Sequence, residues 1–202
     1  MDNEKQIVLF LKSGTTFNEL QIAAKINERH PSLDSPITIP YDENNPNNPL
    51  FIFNKGIMNV TMNRKDCSFI FKDEDEKECL EIINDVMELF DDSNIEFVRL
   101  GYVSTHQHTK KEKDKFLKKL LVDPELLSDE FNLSWYKNEL IDSVRVNVWE
   151  RHLTDTMNNV DFVSVIDINT PIDKEYNITN DFVIDFINKC DKYIEKKLDE
   201  RI

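Results

Sequence analysis

Asp161-Phe162-Val163-Ser164-Val165-Ile166-Asp167-Ile168-Asn169 is the stretch on which the fold turns. In an extended chain alternate residues share a face. Phe162, Ser164, Ile166 and Ile168 then line one side, and Asp161, Val163, Val165 and Asp167 the other. A β-branched run with apolar residues on both sides suits an interior strand better than an edge. Thr170-Pro171 ends it, because proline cannot donate to a ladder.

Downstream, Thr179 or Asn180 can cap a helix, with Asp181 near the positive end of its dipole. Phe182, Phe186, Ile187, Cys190, Tyr193, Ile194 and Leu198 recur at three- and four-residue steps, one apolar stripe. Lys189, Lys192, Lys196 and Lys197 gather toward its C-terminal end. Such a stripe needs a sheet or a partner to cover it, since isolated helices rarely hold in water.

Upstream, Trp135 to Leu153 holds a long extended segment in which Val144, Val146 and Val148 alternate with Arg145, Asn147 and Trp149. Asp155 to Asn159 reads as a turn. Lys110 to Leu121 predicts a short helix with six lysines, one glutamate, one aspartate and a single aromatic, Phe116. Without arginine or further aromatics it is a poor nucleic-acid signature, and a solvated linker helix explains it better. Ile95 to Val103 predicts a central strand. Arg99 within it needs a carboxylate or several carbonyls, and Asp167 is the best-placed acid.

The first half begins with a strand, Gln6 to Leu11. A helix follows, with Thr16 and Glu19 at capping-box spacing. Phe17, Leu20, Ala23, Ala24 and Ile26 form its apolar face, and His30-Pro31 closes it. Pro31, Pro36, Pro40, Pro46 and Pro49 leave room only for a short edge strand, Ile37 to Ile39. Leu50 to Phe53, Met58 to Met62 and Ser68 to Phe71 are three closely linked strands, an antiparallel meander. Asp75 to Phe90 is a second helix, with Asp75 and Glu78 as caps and Cys79, Ile82, Ile83, Val86, Met87, Leu89 and Phe90 inward. Ten acids and one lysine lie between Asp73 and Asp92. They form a solvated helix face or a docking surface for a basic partner.

These segments predict an α+β fold: an antiparallel sheet from two related lobes, with helices packed on one face. The lobes are 1–109 and 133–202, the latter strand–strand–helix, joined by a helical linker over 110–132 and sharing one core. The chain of 202 residues carries 25 Lys and Arg against 39 Asp and Glu, a net charge of −14. That field repels nucleic acid and anionic membranes and favours basic partners. No apolar run spans a bilayer, and Ile7 to Leu11 is too short for a signal-peptide core. Cys67, Cys79 and Cys190 lack metal or redox spacing and suit a reducing core. A cytoplasmic protein is expected.

Chemistry is thinly marked. Only Gly14, Gly56 and Gly101 occur, so no phosphate-binding glycine loop exists; Lys12 and Ser13-Gly14-Thr15-Thr16 suit a capped helix start. His106-Gln107-His108 on a strand would set two imidazoles on one face, but no third metal ligand follows. His152-Leu153-Thr154 matches one half of the paired motif of two-histidine phosphoesterases, yet Thr109 is out of place for the other half. Acid pairs such as Asp91-Asp92 lack the spacing of a calcium loop. No catalytic, cofactor-binding or metal-ligating residue and no cofactor is assigned.

Ile7–Phe10, Ile26-Asn27-Glu28-Arg29-His30-Pro31, Phe97-Val98-Arg99-Leu100-Gly101-Tyr102 and Ile166-Asp167-Ile168 before the terminal helix resemble, in this order, a sporadically distributed, uncharacterised prokaryotic family of two-lobed α+β proteins. The chain departs from it in having His30 where an aromatic is expected and in being shorter. The family has no assigned catalytic residues to carry over. Its patchy distribution implies an accessory role, on mobile elements or in defence.

The reading that follows is a non-enzymatic, acidic protein-binding protein such as an inhibitor, antitoxin, immunity factor or adaptor, with a protein partner of basic character and a homodimer open. One alternative is a chaperone module similar to SecB, although that family's run of four strands is not matched. Another is an enzyme with a site assembled in space around His106, His108 or His152.

Overall fold

The computed structural model describes residues 3–42, 44–45, 48–92, 95–120, 131–155 and 160–202. Nine strands form one sheet in the order β2-β3-β4-β5-β1-β6-β9-β8-β7. They are β1 (Glu4–Leu11), β2 (Ile37–Thr38), β3 (Phe51–Lys55), β4 (Met58–Met62), β5 (Asp66–Lys72), β6 (Phe97–His108), β7 (Asn132–Ile141), β8 (Val144–Asp155) and β9 (Val160–Asn169). Every pairing is antiparallel. Four helices complete the fold: α1 (Glu19–Arg29), α2 (Glu76–Asp91), α3 (Lys110–Leu120) and α4 (Asn180–Arg201).

The register explains the layers. Ile7 lies between Phe69 and Tyr102, and Leu9 between Cys67 and Leu100. Tyr102 meets Ile168, which in turn meets Val148. Successive strands thus offer their apolar parity to the same side, and the helices bury it. Ile22, Ala23 and Ile26 of α1, the seven inward residues of α2, and Val183, Phe186, Ile187, Cys190 and Ile194 of α4 join those strand residues in one core. The three cysteines are free and buried there. The fold is α+β, an antiparallel sheet with its helices on one face.

β9 sits between β6 and β8, as its two apolar faces predict. α4 begins where expected, the Thr179 hydroxyl accepting from Phe182 N. The inward stripe of α2 is the predicted one. Gly101 sits close under Asn169: a Cβ there would meet the Asn169 Oδ1, and that side chain would have to move.

Several expectations are corrected. α1 is capped by Asn18, whose side chain accepts from Gln21 N, and not by Thr16. Its buried face is Ile22, Ala23 and Ile26, while Leu20 is 63% exposed. Starting the helix at Glu19 turns Leu20 outward, while Phe17, just before the helix, still packs on the core with its ring 5.7 Å from that of Phe90. Asp75 precedes α2 without a side-chain cap bond. The extended segment 135–153 is a hairpin, β7 and β8, because Asp142 and Ser143 both take positive φ, 44° and 74°. Both central residues in the left-handed region make a two-residue hairpin turn. The second half therefore has three strands before its helix. α3 keeps its lysines largely in solvent but buries Phe116 and Leu117 against Phe131 and Phe162, so it packs on the sheet. The expected turn at 155–159 lies, apart from Asp155 at the end of β8, outside the described residues.

Candidate functional site

Two places gather polar chemistry. The first is a seam buried between the sheet and the helices α3 and α4. Along β6 the inward parity reads Tyr102, Ser104, His106 and His108. Across β9 and β8 the register sets His106 beside Ser164 and Ser164 beside His152. The three histidines of the sequence analysis are thus brought together, with Ser164 among them. The His108 Nε2 lies 2.9 Å and the His152 Nδ1 2.8 Å from the Ser164 Oγ. A hydroxyl has one proton, so at least one of these imidazoles donates to it. His106 Nε2 is 2.8 Å from Ser104 Oγ.

His152 and Ser164 are fully buried. Phe116 and Trp135 lie on the His152 ring, with centroids 4.6 and 4.9 Å away. Burial pushes the His108 imidazolium down to about 4, helped by the neighbouring His106 and His152. Burial also lowers His106. Among the described residues no group of three His, Cys, Asp or Glu side chains is placed to hold a metal ion.

At one end of the seam Glu150, fully buried, bonds Arg201 and lies 2.9 Å from the Lys137 Nζ. Burial alone would raise its carboxyl. His152 at 3.8 Å, Lys137 and the Arg201 charge overcome that and hold it at about 2. At the other end Lys5 reaches Asp73 at 3.1 Å, Glu76 at 2.6 Å and Asp191 at 3.2 Å, and Tyr102 donates to Asp191. Burial would lower the Lys5 ammonium, but these acids raise it well above its ordinary range. Burial and the Asp191 charge raise Tyr102. Burial raises all three thiols. The three thiols, Tyr102 and Lys5 are thus held toward their unreactive protonated forms.

Ser164, Glu150, Lys5, Tyr102, Asp191 and Arg201 were not singled out from sequence. The signal lay in parity. Ser164 falls on the face of Ile166 and Ile168, Glu150 on that of Val146 and Val148, and Lys5 on that of Ile7 and Leu9. Polar residues on an inward face must find partners.

Arg99 lies on the opposite face and does not pair with Asp167. Its Nε donates to the Thr170 carbonyl at 3.3 Å, and its guanidinium lies 4.6 Å from the Phe10 ring centroid. Asp167 instead accepts from Asn169. The register places Asp167 beside Val103, four residues along from Arg99.

The second place is a cleft of about 250 Å³ where the C-terminal half of α2 meets the segment before β6 and the start of α4. Its floor is Met87, Ile95, Phe97 and Ile178, all buried, and its rim carries Glu88, Asp91 and Glu96, all exposed. α2 has no basic residue of its own in its last turn to offset the negative end of its dipole at this rim. Asn180 lines the cleft, and its side-chain oxygen is buried without a hydrogen-bond donor. An apolar floor and three carboxylates suit a side chain with a greasy stem and a cationic head. Lys12 at 2.6 Å from Glu96 and Arg29 at 3.3 Å from Glu88 already draw on two of the acids.

Among the described residues no helix is long and apolar enough to cross a membrane. No family model matches the chain, and no curated protein does. Among solved structures it is similar to a rolling circle replication initiator protein from Geobacillus stearothermophilus. That likeness has a TM-score of 0.32 and 7% identity, covers 95% of this chain and 78% of the other, and at that level carries no inference.

Proposed function

We propose that the protein is a non-enzymatic, cytoplasmic binding protein that engages a basic protein partner, as an inhibitor, antitoxin, immunity factor or adaptor does. The observation that carries this reading is the cleft at the end of α2, which offers an arginine or lysine an apolar bed and a carboxylate rim. The wider acidic run around α2, with Glu74 before it, Glu81 and Asp91 in it and Asp92 after it, all exposed, supplies the long-range field that steers such a partner. The protonated state of every thiol, of Tyr102 and of Lys5 supports binding rather than nucleophilic chemistry.

The test is Asp91→Lys, with an arginine-rich peptide as probe in a calorimeter. Asp91 is exposed in the last turn of α2, where a cation suits the helix dipole, so the variant should fold at least as well as the wild type. Loss of peptide affinity by about tenfold or more, with a shallower salt dependence, is the expected result. Equal binding by both proteins would remove the cleft from the account.

A second reading, an enzyme built on His106, His108 and His152, draws support from the Ser164 bridge. It requires an approach to two fully buried residues, His152 and Ser164, beneath Phe116 and Phe162. Measured turnover that His152→Ala abolishes, while the fold survives, would favour it.

A further inference from the structure

The sheet ends on one side in β2, only two residues long, and on the other in β7, with ten. Long, regular edges invite pairing, and natural sheets usually blunt them with prolines, bulges or charges on the exposed side. β7 has neither proline nor bulge. The Ile141–Val144 pair closing its hairpin is hydrogen-bonded, as is Phe131–Thr154 through Thr154 N and the Phe131 carbonyl. By alternation, Ser134, Tyr136, Asn138 and Leu140 point their backbone N–H and C=O groups outward from the edge. Among the described residues no other segment makes a backbone hydrogen bond to them. The same edge concentrates exposed apolar surface: Tyr136 is 47%, Trp149 51% and Leu140 72% exposed, with the Tyr136 and Trp149 rings 5.2 Å apart.

We propose that two copies of the chain join β7 to β7 antiparallel, about a two-fold axis through Asn138, so that two nine-stranded sheets become one. The sequence of β7 selects both occupant and register. Centring the pair on Asn138 sets Lys137 opposite the partner's Glu139, and Glu139 opposite the partner's Lys137. It also sets Tyr136 opposite the partner's Leu140 on the open face, beside Trp149. Tyr136, Asn138 and Leu140, whose backbone groups point outward, meet the partner's Leu140, Asn138 and Tyr136 in phase, as a ladder requires. Centring on Lys137 would oppose two lysines, and centring on Glu139 two glutamates, each unfavourable across strands. Centring on Tyr136 would place Lys137 against Trp135. The stretch Trp135 to Ile141, which overlaps its copy about this axis, is complementary to itself in charge, apolarity and backbone phase; it fits a second copy of this chain, and a two-fold contact is the usual form of such self-association.

Cysteine crosslinking tests the axis. Across a hydrogen-bonded antiparallel pair the Cα atoms are about 5.5 Å apart, within the roughly 4.4–6.8 Å that a disulfide spans. Asn138→Cys should therefore yield a covalent dimer under mild oxidation, whereas Ser134→Cys should not. The native cysteines are buried and stay out of the reaction. In sedimentation the wild type should double its 23.9 kDa chain mass. Asn138→Pro, which removes an N–H that the monomer does not use, should restore the single-chain mass. L140E and Y136K should each do the same, and the double exchange L140E/Y136K, with opposite charges across the axis, should recover the dimer. A single-chain mass for the wild type at every concentration overturns the proposal. So does crosslinking at Ser134→Cys in place of Asn138→Cys, or failure of the double exchange to recover the dimer.

Discussion

Glu150→Gln is expected to remove about 3 kcal/mol of stability at neutral pH, the lower end of the loss when one member of a buried ion pair is deleted. For a chain of this size that corresponds to a fall in Tm of roughly 6–12 °C. The side chain keeps its shape, so the loss is one of charge. Glu150 is fully buried and neutralises Arg201 and Lys137, whose heads would be left facing each other across a neutral amide. The pH dependence carries its own sign. The Glu150 carboxyl is held at about 2, against 4.5 for the free group. A depressed carboxyl contributes stability that is fully present above its unfolded value and is lost as pH falls toward its folded value. The wild type should therefore lose this increment between about pH 4.5 and pH 2. The gap between wild type and Glu150→Gln should narrow over the same interval. Urea titrations at several pH values read both effects. A gap that stays constant down to the acid limit would mean that Glu150 acts by shape alone.

Phe186→Ala is expected to cost about 3–5 kcal/mol, the range for emptying a buried aromatic site. Phe186 is 2% exposed and belongs to the continuous core of sheet and helices. Its ring stacks on Phe182 with centroids 6.1 Å apart. α4 carries the apolar seal over β6 and its neighbours, and a cavity in that seal is felt by the whole sheet. Ile172→Ala, at a site 81% exposed before α4, should change stability by no more than about 0.5 kcal/mol. Denaturant unfolding of the two variants side by side separates a load carried by the core from a general sensitivity to mutation. Similar losses for both would contradict the layer assignment.

Much of this architecture was legible before any coordinates. The two-faced run at 162–168 gave an interior strand because apolar residues on both faces suit a strand flanked by neighbours, and Val163, on the face away from the helices, is itself buried. The stripe of α2 was legible because the spacing of Cys79, Ile82, Ile83, Val86 and Phe90 admits one inward face. The hairpin at Asp142-Ser143 was not, since that pair lacks the glycine that usually marks such a turn. α1 was misphased because Thr16 and Glu19 satisfy capping-box spacing while Asn18, two residues on, supplies the actual bond.

The site was harder to read because it is made between distant segments. His106 and His152 meet only through Ser164, and the pairing β6–β9–β8 that joins them is a tertiary fact. The cleft likewise draws on α2, the segment before β6 and the start of α4. The acidic run from Asp73 to Asp92 announced half of it; the apolar floor and the Asn180 oxygen were silent in sequence. The Arg99–Asp167 expectation failed on register alone, since both residues lie on the face where it placed them but four positions apart along β6.

The most direct test of the binding account is to titrate an arginine-rich peptide into the labelled protein and follow the backbone amides by nuclear magnetic resonance. Shifts confined to Asn84, Glu88, Asp91, Ile95, Phe97 and Asn177 to Asn180, reversed by salt, are the predicted result. Shifts centred instead on His106, His108, His152 and Ser164, with the α2 cleft unmoved, would contradict it.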